Sequence, residues 1–345
     1  MKMFTRQNML IIFVSVITGL AFSMGNAFAA ADRKPVQYCT YSVGSVQYLF
    51  SAAHANLVNK YSKKIQVTPA FCGAETAVVK LLGQGKIEFG EVANLEIDFA
   101  RKGEYNWAQM PEATRKAYAD NVRAVFFEEY GPNQMITLAN SGIKSLKDLK
   151  GKIVSLGSAQ CTSGGIMMQA IEADGLPLGQ YKIVRFSGGS GQAPDGCADG
   201  TLDAYWTNAP GVQPSTMNIA VNNQIRMFGF STKENQNKFL AYMEKKYGPD
   251  RAYIATLPAK LYGKNQVNTE PVDVVAFDLI IATHAGMDDE TVYEFTKHLF
   301  DNLPEFRETA GPSAKLITLE KAMTKIHIPF HPGALKYYRE KGLIK

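Results

Sequence analysis

What the sequence lacks narrows it first. No G-x-x-x-x-G-K-[ST] run occurs in its 345 residues, which removes the P-loop route to nucleotide phosphates. No H-E-x-x-H is present, and His54, His284, His298, His327 and His331 are scattered. His327 and His331 stand four apart, but Pro329 between them breaks the helical face that a shared metal needs. No G-x-S-x-G elbow marks a nucleophilic serine. Neither a catalytic constellation nor a metal or cofactor is expected. Lysine and arginine form no patch: 37 basic and 32 acidic residues leave a net charge of +5 spread along the chain, which speaks against nucleic acid and anionic membrane as partners.

What is present begins with an export signal. Lys2 and Arg6 precede an apolar run from Met9 to Phe22 and the small-residue pattern of Ala27, Phe28 and Ala29. Residues 1–29 are therefore expected to be a cleaved signal peptide. Removing them takes two positive charges and no negative ones, so the net charge falls from +5 to +3. No later apolar stretch is long enough to span a bilayer.

The remainder repeats one unit. PVQYCTYS alternates as a strand, and after Gly44 the positions Val46, Leu49, Phe50, Ala53, Leu57 and Val58 share a helical face. The strand-turn-helix unit returns in KIQVTPAFCGAETAVVKLLGQG and in GKIVSLGSAQCTSGGIMMQAIEADG, and more loosely from YKIVRFSGGSGQAPDG to LDAYWTNAP. Such alternation implies parallel sheets of an α/β fold, with ligands outside the carboxyl ends of the strands. NVRAVFFEEYGPNQMITL reads as two extended runs broken at Gly131 and Pro132, a crossing between lobes. A return is expected near NNQIRMFGF, followed by helix. The division expected is lobe 1 from 30–130 and 228–345, with lobe 2, 131–227, inserted as one half of a hinged clamshell.

An exported chain can oxidise its cysteines. Within single lobes the pairs are Cys39 with Cys72 and Cys161 with Cys197, but four cysteines allow three arrangements, and four buried thiols are the alternative. At least one oxidised pair is expected.

SGIKSLKDLKGKIVSLG, DGTLDAYW, ETVYEFTKHLFDNLPEF and IPFHPGALKYYREKG occur in this order and at family-like spacing. With them the chain resembles the solute receptors of the TAXI subfamily of tripartite ATP-independent periplasmic (TRAP) transporters. The resemblance implies a two-lobed, type II periplasmic binding protein fold. It implies a periplasmic, monomeric receptor, not an enzyme, that gives a small-molecule solute to TRAP membrane permease subunits; relatives bind organic acids and amino acids.

Ser42, Gly44, Ser45 and Tyr48 occupy the family's first ligand loop. In its second loop Glu75 takes a serine's place, next to Thr76. An ionised Glu75 repels an acid, so either it points away or the solute brings a cationic or hydroxyl group. Asn94 follows the third strand.

Thr162, Ser163, Gly164 and Gly165 open a helix whose free N–H groups suit an anion. Trp206 and Asn208 share one face of a strand end. Each has a structural alternative: Ser45 as a plain N-cap with Tyr48 in the core, Asn94 as a cap, Trp206 as core. The competing functions are an exported enzyme, for which Glu75 is the one obvious acid-base carboxylate, and a sensor signalling its closed state.

Overall fold

The computed structural model describes residues 33–41, 43, 45–158, 161–186 and 192–345, so the expected signal peptide, Ser42 and Gly44 lie outside the described residues. The repeated units appear as read. β1 (Lys34–Thr40) leads to α1 (Val46–Tyr61), β2 (Ile65–Phe71) to α2 (Glu75–Gly83), and β3 (Phe89–Ala93) to α3 (Asn94–Lys102). The α1 stripe is narrower than its sequence suggests: Val46, Phe50, Ala53, Leu57 and Val58 are buried, while Leu49 is 44% exposed. α4 (Glu112–Asn121) then feeds β4 (Val122–Leu138).

The second half repeats the plan with β5 (Ile153–Ser155), α5 (Thr162–Ala173), β6 (Lys182–Val184), α6 (Ala193–Ala198), β7 (Ala204–Asn208) and α7 (Pro214–Asn222). β8 (Ile225–Phe228), α8 (Lys233–Tyr247), β9 (Tyr253–Leu257) and β10 (Val272–His284) follow. The chain closes with α9 (Asp289–Phe300), α10 (Leu303–Ala310) and α11 (Pro332–Glu340). As the sequence suggests, Asp288 caps α9, accepting from Thr291 N at 2.8 Å, and Pro332 opens α11.

The strands run β2-β1-β3-β10-β4 and onward β4-β7-β5-β6, with β8 also on β4. In each half three parallel strands meet an antiparallel fourth from elsewhere in the chain, β10 in the first and β4 in the second. This is the type II periplasmic binding protein order, and the fold is two-lobed α/β.

Two local readings change. Gly131 and Pro132 do not break the crossing: β4 is one strand of 17 residues. Its last partner in the first sheet is Ala276, opposite Pro132, and its first in the second is Asn208, opposite Asn133. Proline's missing N–H therefore falls where the ladder changes partner. Nor is the chain after residue 228 wholly helical, because VDVVAFDLIIATH forms the long central strand β10. Buried on both faces, it carries apolar runs on either side of the buried Asp278 instead of alternation.

One apolar cluster lies beneath α1 and α9, where the Phe89 and Phe295 rings stack at 3.7 Å. A second joins Val78, Leu82 and Trp107 of the first half to Ile166, Trp206 and Phe228 of the other. A third, with Ile136, Cys197 and Tyr205, covers the opposite face of the second sheet. Cys39 and Cys72 form a disulfide with Cα atoms 5.4 Å apart. Cys161 and Cys197 are free, contrary to the second expected pair. The sheet explains this: Cys161 packs against the cluster containing Trp206, and Cys197 belongs to the cluster on the other face.

Candidate functional site

The carboxyl ends of the parallel strands face each other. α2 begins after β2 and α5 after β5, and their first residues meet, with a Glu75 carboxylate oxygen accepting from the Thr162 backbone N–H at 3.3 Å. The same carboxylate lies 4.0 Å from Cys161 Sγ. Glu75 thus points inward, only 3% exposed. Its carboxyl lies at the start of its own helix and at the start of α5, where partial positive charge favours an anion.

A second acid backs it. Glu96, in the first turn of α3, accepts from Thr162 Oγ1 at 2.6 Å and from Trp107 Nε1 at 2.7 Å, and the Thr76 hydroxyl bonds to it as well. Asn106 Nδ2 donates to Thr76 Oγ1 at 3.2 Å. Both N–H and hydroxyl of Thr162 are therefore held by carboxylates from the facing lobe.

Burial dominates the electrostatics. It pushes the Glu75 carboxyl up to about 7 against the helix and Thr162 hydrogen bonds, with Glu96 adding repulsion. Burial likewise raises Glu96, opposed by its Thr162, Thr76 and Trp107 bonds. On the adjoining strands Glu128 is buried against Glu91 and pushed up to about 8, while Thr40 Oγ1 donates to Glu91 at 3.4 Å. The Tyr41 phenol is held well above its ordinary range by burial, then by Glu75 and Glu91. Among the described residues no three His, Cys, Asp or Glu side chains are placed to hold a metal ion.

The remaining expected residues divide. Ser45 is the N-cap of α1, accepting from Tyr48 N at 3.1 Å, and Tyr48 is half-buried beyond it. Asn94 opens α3 and donates to the Lys325 carbonyl at 2.7 Å. Ser163 is buried in the first turn of α5. Gly164 and Gly165 serve packing: a Cβ on Gly164 would meet Arg185 Nη1 at 2.6 Å, and one on Gly165 the Tyr105 ring at 3.0 Å. Trp206 donates Nε1 to Asn133 Oδ1 at 2.7 Å and lies against Gly157, with Cys161 at its side. Asn208 is buried with its amide against Gly131, and among the described residues neither atom of that amide has a hydrogen-bond partner.

Residues 39–342 match the NMT1-like family. The chain belongs to that family. Among solved structures, this NMT1-like protein is similar to a putative L-cystine ABC transporter protein from Listeria monocytogenes, at 12% identity over 84% of this chain and 98% of that one, TM-score 0.48. It is also similar to the periplasmic aliphatic sulphonate binding protein SsuA from Escherichia coli, at 15% identity over 83% and 76% of the two chains, TM-score 0.43. No residue or ligand is carried over from either.

Tyr41, Glu91, Glu96, Trp107 and Glu128 of this NMT1-like protein were not legible as site residues. One signal was available: Glu91 interrupts FGEVA and Glu128 follows the apolar run AVFF, and a carboxylate placed there calls for a partner or a role.

Proposed function

We propose that the protein is an exported solute receptor that closes two lobes on a small organic solute and passes it, as a monomer and without chemistry, to a membrane permease. The observation that carries the reading is the meeting of strand-end turns from both lobes at Thr162, with β4 threading both sheets. A strand shared by both halves near Pro132 gives hinge motion a defined pivot. The reading extends to a solute of the amino-acid or keto-acid class and a periplasmic, cation-gradient-driven TRAP system, supported by the ordered motifs from SGIKSLKDLKGKIVSLG to IPFHPGALKYYREKG.

Thermal melting against a panel of amino acids, amines and organic acids tests it. A cognate solute at several hundred times its dissociation constant stabilises by roughly 3 to 4 kcal/mol, and the shift saturates with concentration. Turnover of the solute, or a panel without any shift, contradicts the receptor reading.

A further inference from the structure

We propose that the two lobes are clasped shut by their own side chains, so that the protein rests closed before a solute arrives and entry waits on the clasp opening. This rests on the receptor reading above and describes its resting state.

Which residues move together decides what bridges the lobes. Asp174, capping the end of α5, accepts from the Ser231 N–H and hydroxyl at 2.8 Å, and Asn268 exchanges two bonds of 2.9 Å with the Met227 backbone of β8. Asn133 Nδ2 donates to the Val275 carbonyl at 3.0 Å. The second sheet therefore carries α8 and β9 with it, and the return crossing lies in β10, where Ala276 stands opposite Pro132, instead of near residue 228. α3 follows β3 and stays with the first sheet.

Side chains meet across that boundary along the helices, beyond the strand-end turns. Arg251 Nε donates to Asp98 Oδ2 at 2.7 Å, with the two side chains only 15% and 14% exposed. Lys246 Nζ lies 3.0 Å from Glu104 Oε2, and the Tyr247 hydroxyl donates to the same carboxylate. The Tyr105 hydroxyl donates to the Gly165 carbonyl at 3.3 Å and accepts from Gln169 Nε2. Partly buried pairs of this kind are less screened than exposed ones, and removing one partner strands the other. All of these bonds join protein to protein, so they contribute to closure whether or not a solute lies between the turns.

Packing adds to them. The Tyr105 ring rests on α5 where a Cβ on Gly165 would come within 3.0 Å of it, and Phe99 meets the Tyr247 ring with centroids 5.5 Å apart. One apolar cluster runs from Trp107 of the first lobe to Ile166 and Met243 of the second, so opening exposes apolar surface as well as breaking ion pairs.

Backbone strain gathers at the same contacts. Among the described residues three other than glycine have positive φ: Tyr105 at 50°, Asp250 at 59° and Lys325 at 55°. Tyr105 belongs to the clasp, Asp250 precedes Arg251, and Lys325 of the first lobe holds its ammonium 3.9 Å over the Tyr253 ring of the second. Such conformations persist only where surrounding contacts outweigh their cost.

The test is amide exchange by NMR, with small-angle scattering, on the full chain refolded from urea to strip bound solute. The reporter is the Thr162 N–H, whose acceptor Glu75 belongs to the other lobe. Two variants release the clasp: Arg251→Ala with Lys246→Ala, and Gly165→Leu, which wedges the Tyr105 ring away. The expected result is a protected Thr162 amide and a compact scattering curve in the unaltered chain. Either variant should exchange that amide at least about tenfold faster and scatter as a larger particle, with the β1–β2 ladder amides unchanged. A Thr162 amide that exchanges freely in the unaltered chain overturns the clasp, as do variants that exchange at the unaltered rate. Acceleration shared equally by the β1–β2 ladder overturns it too, because the contacts then support the fold and not the closure. If the double variant fails to fold, Gly165→Leu and the unaltered chain carry the test. The solute panel judges the receptor reading separately, so a freely exchanging chain that still binds a panel member overturns the clasp alone.

Discussion

Glu75→Gln in the ligand-free protein should make stability less sensitive to pH, and the size follows from burial. The unfolded carboxyl titrates near 4.5 and the folded one near 7. Below the lower value both states hold the proton, and the two proteins differ by a constant. Between the two values the unfolded chain has lost its proton while the folded chain keeps it, so unfolding releases a proton and rising pH favours the unfolded state. Above the upper value the full penalty is present, about 3 kcal/mol at 1.36 kcal/mol per pH unit. Glutamine keeps the shape and an oxygen to accept from Thr162, without the charge. Relative to the wild-type chain, Glu75→Gln should gain about 3 kcal/mol between pH 4.5 and 7, or roughly 4 to 6 °C in Tm for a chain of this size. Urea or thermal melts of both proteins across that range measure it. Parallel stability curves would refute the reasoning, and so would a wild-type chain that gains on the variant as pH rises, because Glu75 would then be paired rather than stranded.

Three further outcomes follow from the packing. Thiol titration of the denatured, unreduced protein should find Cys161 and Cys197 and no others, and reducing the Cys39–Cys72 bridge, which spans 33 residues, should cost about 4 kcal/mol in a urea melt. Burial lowers His54 to about 4, so the folded state binds its proton less readily than the unfolded one; this histidine's contribution is full above about 6.5 and is lost as pH falls toward 4, and its NMR signal should not titrate above about pH 5. Gly229→Ala places a Cβ 2.1 Å from the Asp273 backbone oxygen, where β8 meets the start of β10, and should destabilise by about 2 to 4 kcal/mol; an unchanged urea midpoint contradicts this.

The fold was legible where local pattern and tertiary role agree. Alternation in β1, the 46-50-53-57 row of α1 and the Asp288 cap all follow from short-range geometry, and the recurrence of the unit pointed to paired parallel sheets. β10 was not legible, because a strand buried on both faces loses its alternation and resembles a helical core segment. Pro132 misled for a related reason: its cost depends on whether an N–H is needed there, and that is decided by the partner strand. At the site, sequence singled out Glu75, Thr76, Thr162, Trp206 and Asn208, since each stands at a strand end or helix start. Its relation to Glu96 was hidden because Thr162 Oγ1 joins residues 66 apart in sequence. The glycines of CTSGG were read with the anion-binding start of α5, yet Arg185 and the Tyr105 ring pack where their Cβ atoms would lie.

The most direct measurement of the central claim is mass spectrometry of the small molecule released when protein purified from its own exported compartment is denatured. The account predicts one intact small organic solute, near one per chain. No bound small molecule, or an enzymatic product in place of an intact solute, would contradict the receptor itself.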